Sequence, residues 1–227
     1  MTKFNELGVS ASIMKALEKM GFEEATPIQA ETIPFALEGN DVIGQAQTGT
    51  GKTAAFGIPM IDKIDSKLRK VQGLVVAPTR ELAIQVAEEL NRLAKFTGIR
   101  ALAIFGGQHM DRQIRALKDG PQIVVATPGR LMDHMRRRTI RTDAVQTAVL
   151  DEADEMLNMG FQDDIDEILS HTPSDKKVWL FSATMPDEIR GLAEEMLHNP
   201  VKVEIGASRP VETVRHAIYA VEPERKT

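Results

Sequence analysis

The sequence predicts an α/β fold: a doubly wound, mostly parallel sheet with helices on both faces. Six short runs of apolar and β-branched residues recur along the chain, namely DVIGQA, GLVVAP, ALAIF, QIVVAT, TAVLDE and VWLFSAT. Such near-continuous hydrophobicity is typical of parallel strands that are covered on both faces. Segments of helical period lie between them; in one, Leu82, Val86, Leu90 and Leu93 recur at helical spacing. The alternation of strand and helix indicates a doubly wound sheet.

Composition narrows the classes of protein to which the chain can belong. The 227 residues include no cysteine, which excludes a disulfide framework and any thiolate metal site. The formal net charge of -5 argues against a protein held to nucleic acid mainly by bulk positive charge. The N-terminal segment mixes charged and apolar residues, so it resembles neither a signal peptide nor a membrane span. We expect a cytoplasmic, monomeric protein that does not enter a membrane.

Residues 1–206 are predicted to form one domain. After Gly206 the sequence becomes polar and includes Pro210, and a strand-like run, VRHAIYAV, precedes a charged end. A strand at the end of a chain lacks its neighbours. Residues 207–227 are therefore predicted to be a linker and the start of a second domain that is cut short.

Each of the six predicted strands leads into a loop with distinctive residues. In order, the loops read QTGTGKT, PTREL, GGQ, TPGR, DEAD and SAT. In open parallel sheets, ligands bind at the carboxyl ends of the strands, where such loops enter helices. The six loops are therefore expected to share one rim of the sheet, and the chemistry is predicted to lie there.

The first loop, within AQTGTGKT, has the composition of a phosphate-binding loop. Glycines allow a tight turn, N–H groups at a helix N-terminus attract phosphate, lysine neutralises its charge and a hydroxyl binds magnesium. Gly49 and Gly51 are predicted to form the turn, Lys52 to hold the β- and γ-phosphates, and Thr53 to bind Mg²⁺. The strict GxxxxGK[ST] pattern has glycine where this chain has Ala46. The competing interpretation is a flexible surface turn.

The fifth loop places carboxylates at the end of an apolar strand. In AVLDEAD, Asp151 is predicted to hold Mg²⁺, directly or through water, and Glu152 to orient and deprotonate an attacking water. The alternative is a solvated acidic helix start, because acidic residues favour the first turn of a helix. No asparagine in the chain is followed by lysine, so the Asn-Lys-x-Asp guanine reader is absent and ATP is the expected nucleotide.

Taken in order, these motifs resemble the N-terminal RecA-like domain of a bacterial DEAD-box ATP-dependent RNA helicase. The resemblance extends from Phe4 to about Gly206 and rests on GFEEATPIQ, AQTGTGKT, PTRELA, GG, TPGR, DEAD and SAT. It implies a RecA-like P-loop NTPase fold, and the family's phosphate loop commonly begins with alanine, as at Ala46 here. It also implies that Gln29 reads the adenine edge while Phe22 stacks on the base and Phe4 packs behind it. Core filling is the alternative for the two phenylalanines.

The resemblance thus implies a nucleotide site built from separate segments of the chain. The predicted nucleotide-binding residues are Phe22, Thr26, Gln29, Gln47, Thr48, Gly49, Thr50, Gly51, Lys52 and Thr53. The predicted catalytic residues are Lys52, Asp151 and Glu152. The predicted magnesium ligands are Thr53 and Asp151.

Three further loops resemble the family's contacts with the RNA backbone. The residues concerned are Pro78, Thr79, Arg80, Gly106, Gly107, Thr127, Pro128, Gly129 and Arg130. Thr79 and Thr127 are suited to cap the helices that follow them, and the free N–H groups there favour phosphate. Contacts to sugar and phosphate imply binding without sequence preference. Simple helix capping is the alternative for each loop.

The SAT motif resembles the family's link between the ATP site and the RNA site. The residues implied are Asp154, Ser182, Ala183 and Thr184, with Ser182 and Thr184 bonding Asp154. Two ordinary hydroxyls at a strand end are the alternative.

The resemblance also implies an activity: ATP binding and hydrolysis coupled to local unwinding of RNA duplexes. Turnover in this family needs a second RecA-like domain, which supplies arginines to the γ-phosphate. The present chain is therefore expected to bind ATP weakly and to hydrolyse it negligibly. Two alternatives stay open, a nucleotide-gated RNA clamp without useful catalysis and a P-loop DNA translocase.

Overall fold

The strands form one seven-stranded sheet in the order β3-β4-β2-β5-β6-β1-β7. The computed structural model describes residues 2–206. The strands are β1 (Val42–Gln45), β2 (Gly73–Val76), β3 (Ala101–Ile104), β4 (Ile123–Ala126), β5 (Thr147–Leu150), β6 (Lys177–Ser182) and β7 (Val201–Glu204). Each neighbouring pair runs parallel. The predicted α/β sheet is confirmed, and within the described residues it is wholly parallel.

Helices fill the connections between the strands. Those within residues 2–206 are α1 (Ala11–Lys19), α2 (Pro27–Glu38), α3 (Lys52–Lys63), α4 (Arg80–Leu93), α5 (Met110–Lys118), α6 (Pro128–Arg136), α7 (Ala153–Asn158), α8 (Gln162–Ser170) and α9 (Asp187–Met196). A short 3₁₀ helix, Phe4–Glu6, precedes them. In this part of the chain no helix is long and apolar enough to cross a membrane.

Two hydrophobic cores lie on opposite faces of the sheet. Successive strand residues point to opposite faces, so each strand contributes to both cores. In β4, Ile123 and Val125 pack with residues of α1 to α4 on one face. Val124 and Ala126 pack with residues of α5 to α9 on the other face. This arrangement explains why the strand runs are apolar without alternation, and it is the doubly wound packing that the sequence predicts.

Strand β7 is an element that the hydrophobic runs do not predict. It pairs with β1 along one side only and lies at the end of the sheet order. Val203 is buried, whereas Lys202 and Glu204 are exposed. An edge strand of this kind alternates apolar and polar residues, so a search for continuous apolar runs passes over it. The linker and second-domain start predicted for residues 207–227 lie outside the described residues.

Sheet order decides which loops are neighbours at the carboxyl rim. From the β3 edge inwards, the loops follow as GG after β3, TPGR after β4 and PTREL after β2. DEAD after β5, SAT after β6 and the phosphate loop after β1 come next. The loop carrying the DEAD residues therefore lies between the three loops predicted to contact RNA on one side and, on the other, the SAT segment followed by the phosphate loop.

Candidate active site

The loop after β1 has the backbone shape of a phosphate cradle. Gly49 and Gly51 have φ angles of 84° and 91°, which side chains other than glycine rarely adopt. Gly51 directly precedes Lys52, the first residue of α3. A Cβ atom at Gly51 would also collide with Nε2 of Gln29. The two glycines form the turn that the sequence predicts, and Gly51 is required for both its conformation and its space.

Gln29 joins α2 to this loop. Its Nε2 donates to the carbonyl oxygen of Gly51 at 3.1 Å, and its Oε1 accepts a hydrogen bond from the backbone N–H of Thr26 at 2.9 Å. These two contacts use one of the two amide hydrogens and one of the two oxygen lone pairs. The remaining hydrogen and lone pair form the donor and acceptor pair that the edge of adenine requires.

A cavity of about 470 Å³ opens beside Gln29, with walls that include Phe22 and Gly51. Phe22 is 37% exposed, so one face of its ring is accessible to a planar ligand. Phe4, by contrast, is 1% exposed and belongs to the hydrophobic core. The structure therefore brings Phe22 and Gln29 to one cavity and places Phe4 in the core behind it.

A second cavity, of about 340 Å³, adjoins the first at Gly49 and Gly51, which line both. Its walls include several charged and hydroxyl groups beside apolar side chains of α4. The charged and hydroxyl groups come from Thr48, Lys52, Thr53, Glu89, Asp151 and Glu152. The two cavities together form an elongated site with an aromatic ring and an amide at one end and ionisable groups at the other.

Lys52 is the positive group of this second cavity. It is buried, and within the described residues its Nζ has no hydrogen-bond partner. A buried ammonium group without a partner is costly, so a site of this kind favours an anionic ligand. Thr26, the N-cap residue of α2, lines the first cavity and forms a capping box with Gln29.

Asp151 and Glu152 line the same cavity. Burial raises the pKa of Asp151 to about 6, although nearby Lys52 acts to lower it. Oδ1 of Asp151 accepts a hydrogen bond from the backbone N–H of Glu152 at 3.1 Å. Glu152 has a φ of 52°, a left-handed conformation that is uncommon for any residue except glycine. This backbone turn directs Glu152 towards the phosphate loop, where its Oε1 accepts a long hydrogen bond of 3.5 Å from the hydroxyl of Thr48.

The donor atoms of this cavity suit magnesium. Mg²⁺ prefers oxygen ligands and is usually held by one or two carboxylates together with the phosphates of a substrate. Thr53 and Asp151 provide a hydroxyl and a carboxylate at the cavity. Among residues 2–206, no group of three or more His, Asp or Glu is arranged to hold a metal ion by itself. The pair therefore fits a magnesium ion that binds together with nucleotide phosphates.

Glu89 reaches the second cavity from α4, and the sequence motifs do not predict it. Burial raises its pKa, while Arg92 and a hydrogen bond with Thr53 act to lower it. Its position carried a signal: Glu89 follows Leu82 and Val86 at the helical spacing of the apolar stripe on α4. A carboxylate at an apolar-stripe position indicates a polar environment at that point of the buried face.

The SAT segment contacts the DEAD loop through Asp154. Oδ2 of Asp154 accepts hydrogen bonds from the backbone N–H of Thr184 at 2.9 Å and from its hydroxyl at 2.8 Å. The hydroxyl of Ser182 donates to the carbonyl oxygen of Thr184 at 2.7 Å, and Ser182 also lies close enough to Asp154 to help lower its pKa. Burial acts to raise the pKa of Asp154, but hydrogen bonds from the SAT segment outweigh it and the pKa lies below its usual value. Ala183 connects the two hydroxyl residues.

The two threonines expected to cap helices behave differently. Oγ1 of Thr79 accepts a hydrogen bond from the N–H of Leu82 at 3.2 Å and caps α4. Thr127 precedes α6, but its side chain makes no capping hydrogen bond, so the expectation that its hydroxyl caps the helix is wrong. Pro128 starts that helix instead, because its ring fixes φ in the helical range and it lacks an N–H that would need a partner.

The GG loop and the PTREL loop meet at Phe105. The guanidinium of Arg80 lies 5.2 Å from the centre of the Phe105 ring, close enough for a cation-π contact. Pro78 is buried behind Arg80, whereas Arg80 itself is exposed. Gly106 and Gly107 follow Phe105 and are exposed. The rim therefore presents bare backbone beside an exposed cation.

Arg130 of the TPGR loop lies deeper than Arg80. Its side chain is 13% exposed. Its Nη1 donates to the carbonyl oxygen of Gln108 at 2.9 Å and to Oε1 of Gln113 at 3.1 Å. Gly129, next to it, is exposed and would have open space around a Cβ atom. The structure thus brings Arg130 to the predicted rim but engages part of its guanidinium inside the protein.

Comparison with known proteins identifies the family. The family model for DEAD/DEAH box helicases matches residues 26–192. The chain belongs to the DEAD/DEAH box helicase family. The predicted resemblance to bacterial DEAD-box proteins is confirmed by the curated relatives of this chain. The ATP-dependent RNA helicase CshA of Listeria monocytogenes is 61% identical over 207 residues, which cover 91% of this chain and 40% of that protein.

Further relatives agree with this assignment. The DEAD-box ATP-dependent RNA helicase CshA of Bacillus subtilis is 55% identical over 223 residues, which cover 98% of this chain and 45% of the relative. The crystal structure of a DEAD box protein from the hyperthermophile Methanococcus jannaschii has a TM-score of 0.85 and 43% identity, covering 90% of this chain and 56% of that chain. The RecA-like fold is thereby confirmed. The chain spans less than half the length of these curated relatives.

Proposed function

We propose that this chain is the nucleotide-binding and RNA-binding N-terminal half of an ATP-dependent RNA helicase. The observation that carries the proposal is the buried Nζ of Lys52, which has no hydrogen-bond partner within the described residues and lines the same cavity as the buried carboxylate of Asp151. A cation and a carboxylate in this arrangement suit a triphosphate and its magnesium ion. The adjoining cavity at Phe22 and Gln29 suits the adenine base.

Each residue of the nucleotide site has a role that follows from its position. Lys52 neutralises the β- and γ-phosphates, and the N–H groups at the start of α3 bind the same oxygens. Thr53 and Asp151 hold Mg²⁺, which when bound withdraws charge from the phosphates. Glu152 orients the attacking water and accepts its proton.

The RNA site follows from the other side of the rim. The GG, PTREL and TPGR loops offer exposed backbone, an exposed guanidinium at Arg80 and two helix N-termini. These groups suit the sugar-phosphate backbone and carry no base-reading contact, so we expect binding without sequence preference. The hydrogen bonds from Thr184 to Asp154 join the DEAD loop to its neighbour and are proposed to transmit the state of one site to the other.

Efficient hydrolysis is proposed to need the second RecA-like domain of the parent protein. In P-loop NTPases an arginine supplied across an interface accelerates hydrolysis by roughly 10³ to 10⁵. We expect the present chain to bind Mg-ATP weakly and to hydrolyse it negligibly. A cytoplasmic location and a monomeric state stay predictions.

Nucleotide titrations with Lys52→Met test the proposal. Binding of a fluorescent ATP analogue with Mg²⁺ should weaken at least about tenfold, because the substitution removes the charge-assisted contact to phosphate. Glu152→Gln is the matched control, because it changes the same cavity but should leave the affinity for ATP nearly unchanged. Equal affinities of the wild type and Lys52→Met would overturn the assignment of this cavity.

RNA binding is tested separately with labelled single-stranded oligouridylate and oligothymidylate at one fixed salt concentration, because phosphate contacts depend strongly on salt. We expect the RNA to bind more tightly than the DNA. Equal binding of the two would favour the DNA translocase alternative. In the full-length parent, Glu152→Gln should abolish turnover and retain ATP-dependent RNA binding, whereas a clamp without catalysis would be unaffected.

A further inference from the structure

Gln113 is a buried polar residue in the middle of α5 that none of the sequence motifs includes. It is 1% exposed. Its side-chain amide makes four hydrogen bonds, to Phe105, Gln108, Arg130 and His134. A glutamine amide has two hydrogens to donate and two lone pairs that accept, so every hydrogen-bonding position of Gln113 is occupied.

The orientation of this amide is fixed by its partners. The carbonyl oxygen of Phe105, 2.9 Å away, can only accept, so the NH₂ group of Gln113 must face it. The guanidinium of Arg130, 3.1 Å away, can only donate, so Oε1 must face that side. Nε2 of His134 lies 3.0 Å from the same oxygen and must therefore carry a hydrogen. In neutral His134, Nδ1 then accepts the single hydrogen of the Thr139 hydroxyl, 2.7 Å away, in preference to the other acceptor of that hydroxyl, the carbonyl oxygen of His134 at 3.1 Å.

Two of the four bonds of Gln113 hold the GG loop, one at each of its ends. Phe105 directly precedes Gly106, and Gln108 directly follows Gly107. Nε2 of Gln113 donates to the carbonyl oxygen of Phe105 and to Oε1 of Gln108, each at 2.9 Å. The two exposed glycines therefore lie between two anchors on a single side chain.

The same amide reaches the two other rim loops. Its Oε1 accepts from Arg130 of the TPGR loop, and Arg130 also donates to the carbonyl oxygen of Gln108. The ring of Phe105, held at its backbone by Gln113, lies under the guanidinium of Arg80 from the PTREL loop. Three loops from three different strands are thus joined through one glutamine.

We propose that Gln113 is the positioning residue of the RNA site, which sets the spacing of the GG, PTREL and TPGR loops so that their donors match successive phosphates of one RNA strand. This role rests on the proposed RNA-binding function. Rigid backbone donors bind a strand well only when their positions are preset by residues that are themselves fixed by packing and hydrogen bonds. Gln113 touches no RNA in this account and acts through Phe105 and Arg130.

Gln113→Met tests this role, because methionine matches the length of glutamine and lacks all four hydrogen bonds. Gln72→Met is the matched control. Gln72 is also fully buried, and its amide makes three hydrogen bonds with residues of the Asp65–Leu68 segment, at the opposite, amino-terminal ends of the strands. Both variants should lose stability towards urea, since each leaves buried polar groups without partners.

The readouts are the affinity for labelled oligouridylate and the affinity for a fluorescent ATP analogue. Gln113→Met should weaken RNA binding roughly tenfold, the effect of misplacing groups that one buried hydrogen-bonding residue holds. Its affinity for the nucleotide should stay within about twofold of the wild type, since it lies outside that cavity. Gln72→Met should leave both affinities unchanged despite its lower stability.

RNA affinity of Gln113→Met within about twofold of the wild type, or an equal loss in Gln72→Met, would overturn the positioning role and leave Gln113 as a scaffold residue. If Gln113→Met does not fold, Gln113→Glu decides the question, because it retains the acceptor for Arg130 and His134 and loses the donor to Phe105. An RNA affinity of Gln113→Glu within about twofold of the wild type would likewise overturn the positioning role. A wild-type chain that binds no RNA would overturn the proposed function and this role together. A wild type that binds RNA no better than Gln113→Met would overturn the positioning role alone, so the two failures are distinguishable.

Discussion

The nucleotide site and the RNA rim differ in how their buried polar side chains are satisfied. In the nucleotide site, Nζ of Lys52 has no hydrogen-bond partner within residues 2–206, and the carboxylate of Asp151 is buried. In the RNA rim, the amide of Gln113 has all of its positions occupied, and the guanidinium of Arg130 has two acceptors. One site holds unsatisfied charge, and the other is a closed network.

This difference indicates two strategies for binding phosphate at one rim. Unsatisfied buried charges lower the stability of the free protein and are relieved when a ligand of opposite charge binds. A closed network adds stability and holds the backbone donors in place before the ligand arrives. Substitutions that remove charge should therefore have opposite effects on stability at the two sites.

The largest expected effect concerns the backbone of the nucleotide site. The conformation of the loop after β1 is constrained, although the ammonium group of Lys52 beside it has no hydrogen-bond partner within residues 2–206. Gly51→Ala should lower the free energy of unfolding by about 2–4 kcal/mol, because a positive φ and a collision with Gln29 act together. Gly49→Ala is the control: its φ is also positive, but a Cβ atom there meets open space, so it should cost only about 1 kcal/mol. Urea unfolding without nucleotide measures both. Equal costs would mean that Gln29 moves aside freely and does not hold the loop.

A paired charge removal tests the comparison itself. Asp151→Asn should raise the free energy of unfolding of the nucleotide-free chain by about 1–3 kcal/mol above pH 7, because burial of the ionised carboxylate opposes folding there. The sign follows from its raised pKa. The folded state favours the protonated acid, so the stability that Asp151 contributes is fully present below its ordinary pKa of 3.8 and is lost as the pH rises through about 6.

Arg130→Met is the counterpart on the RNA rim and should lower the free energy of unfolding by about 1–3 kcal/mol, because it leaves the carbonyl oxygen of Gln108 and Oε1 of Gln113 each short of a donor. Chemical denaturation of both variants in one buffer gives the comparison. If the two substitutions changed stability in the same direction, the contrast between an unsatisfied site and a closed network would not hold.

Local motifs made the nucleotide site predictable. The turn at Gly49 and Gly51 and the carboxylates at the end of β5 depend on residues close together in sequence, and their chemistry restricts what can stand there. The strands of the sheet and the helices between them were predictable from the hydrophobic runs, because a strand covered on both faces is apolar along its whole length. Strand β7 left no such signature because one side of it is solvent-exposed.

Residues whose roles depend on tertiary placement were not predictable in the same way. Gln113 has unremarkable neighbours in sequence, and Glu89 is marked only by its place in an apolar stripe. Both become important because α5 and α4 bring them beneath loops of other strands. The failed capping by Thr127 has a related cause. A threonine before a helix is suited to cap it, but the rotamer is decided by the surrounding packing.

The smallest expected effect is a pH dependence that comes from the closed network. His134 is fully buried, and burial lowers its pKa, with Arg130 and Arg137 acting in the same direction and Asp133 opposing them. The unfolded chain, whose histidine has a pKa near 6.5, therefore binds a proton more readily than the folded protein. The stability contributed by neutral His134 is fully present above that pH and is lost as the pH falls from 6.5 through the folded pKa.

The comparison of wild type with His134→Gln isolates this effect, since glutamine keeps a donor for Oε1 of Gln113 and cannot be protonated. Urea unfolding between pH 5 and 8 should show stability falling more steeply towards acid in the wild type than in the variant, while the carboxylates contribute equally to both curves. The difference between the curves should vanish above about pH 7 apart from a constant offset. Parallel curves over the whole range would mean that His134 is protonated as readily in the folded protein as in the unfolded chain. That result would contradict a rim whose hydrogen bonds are already fully assigned.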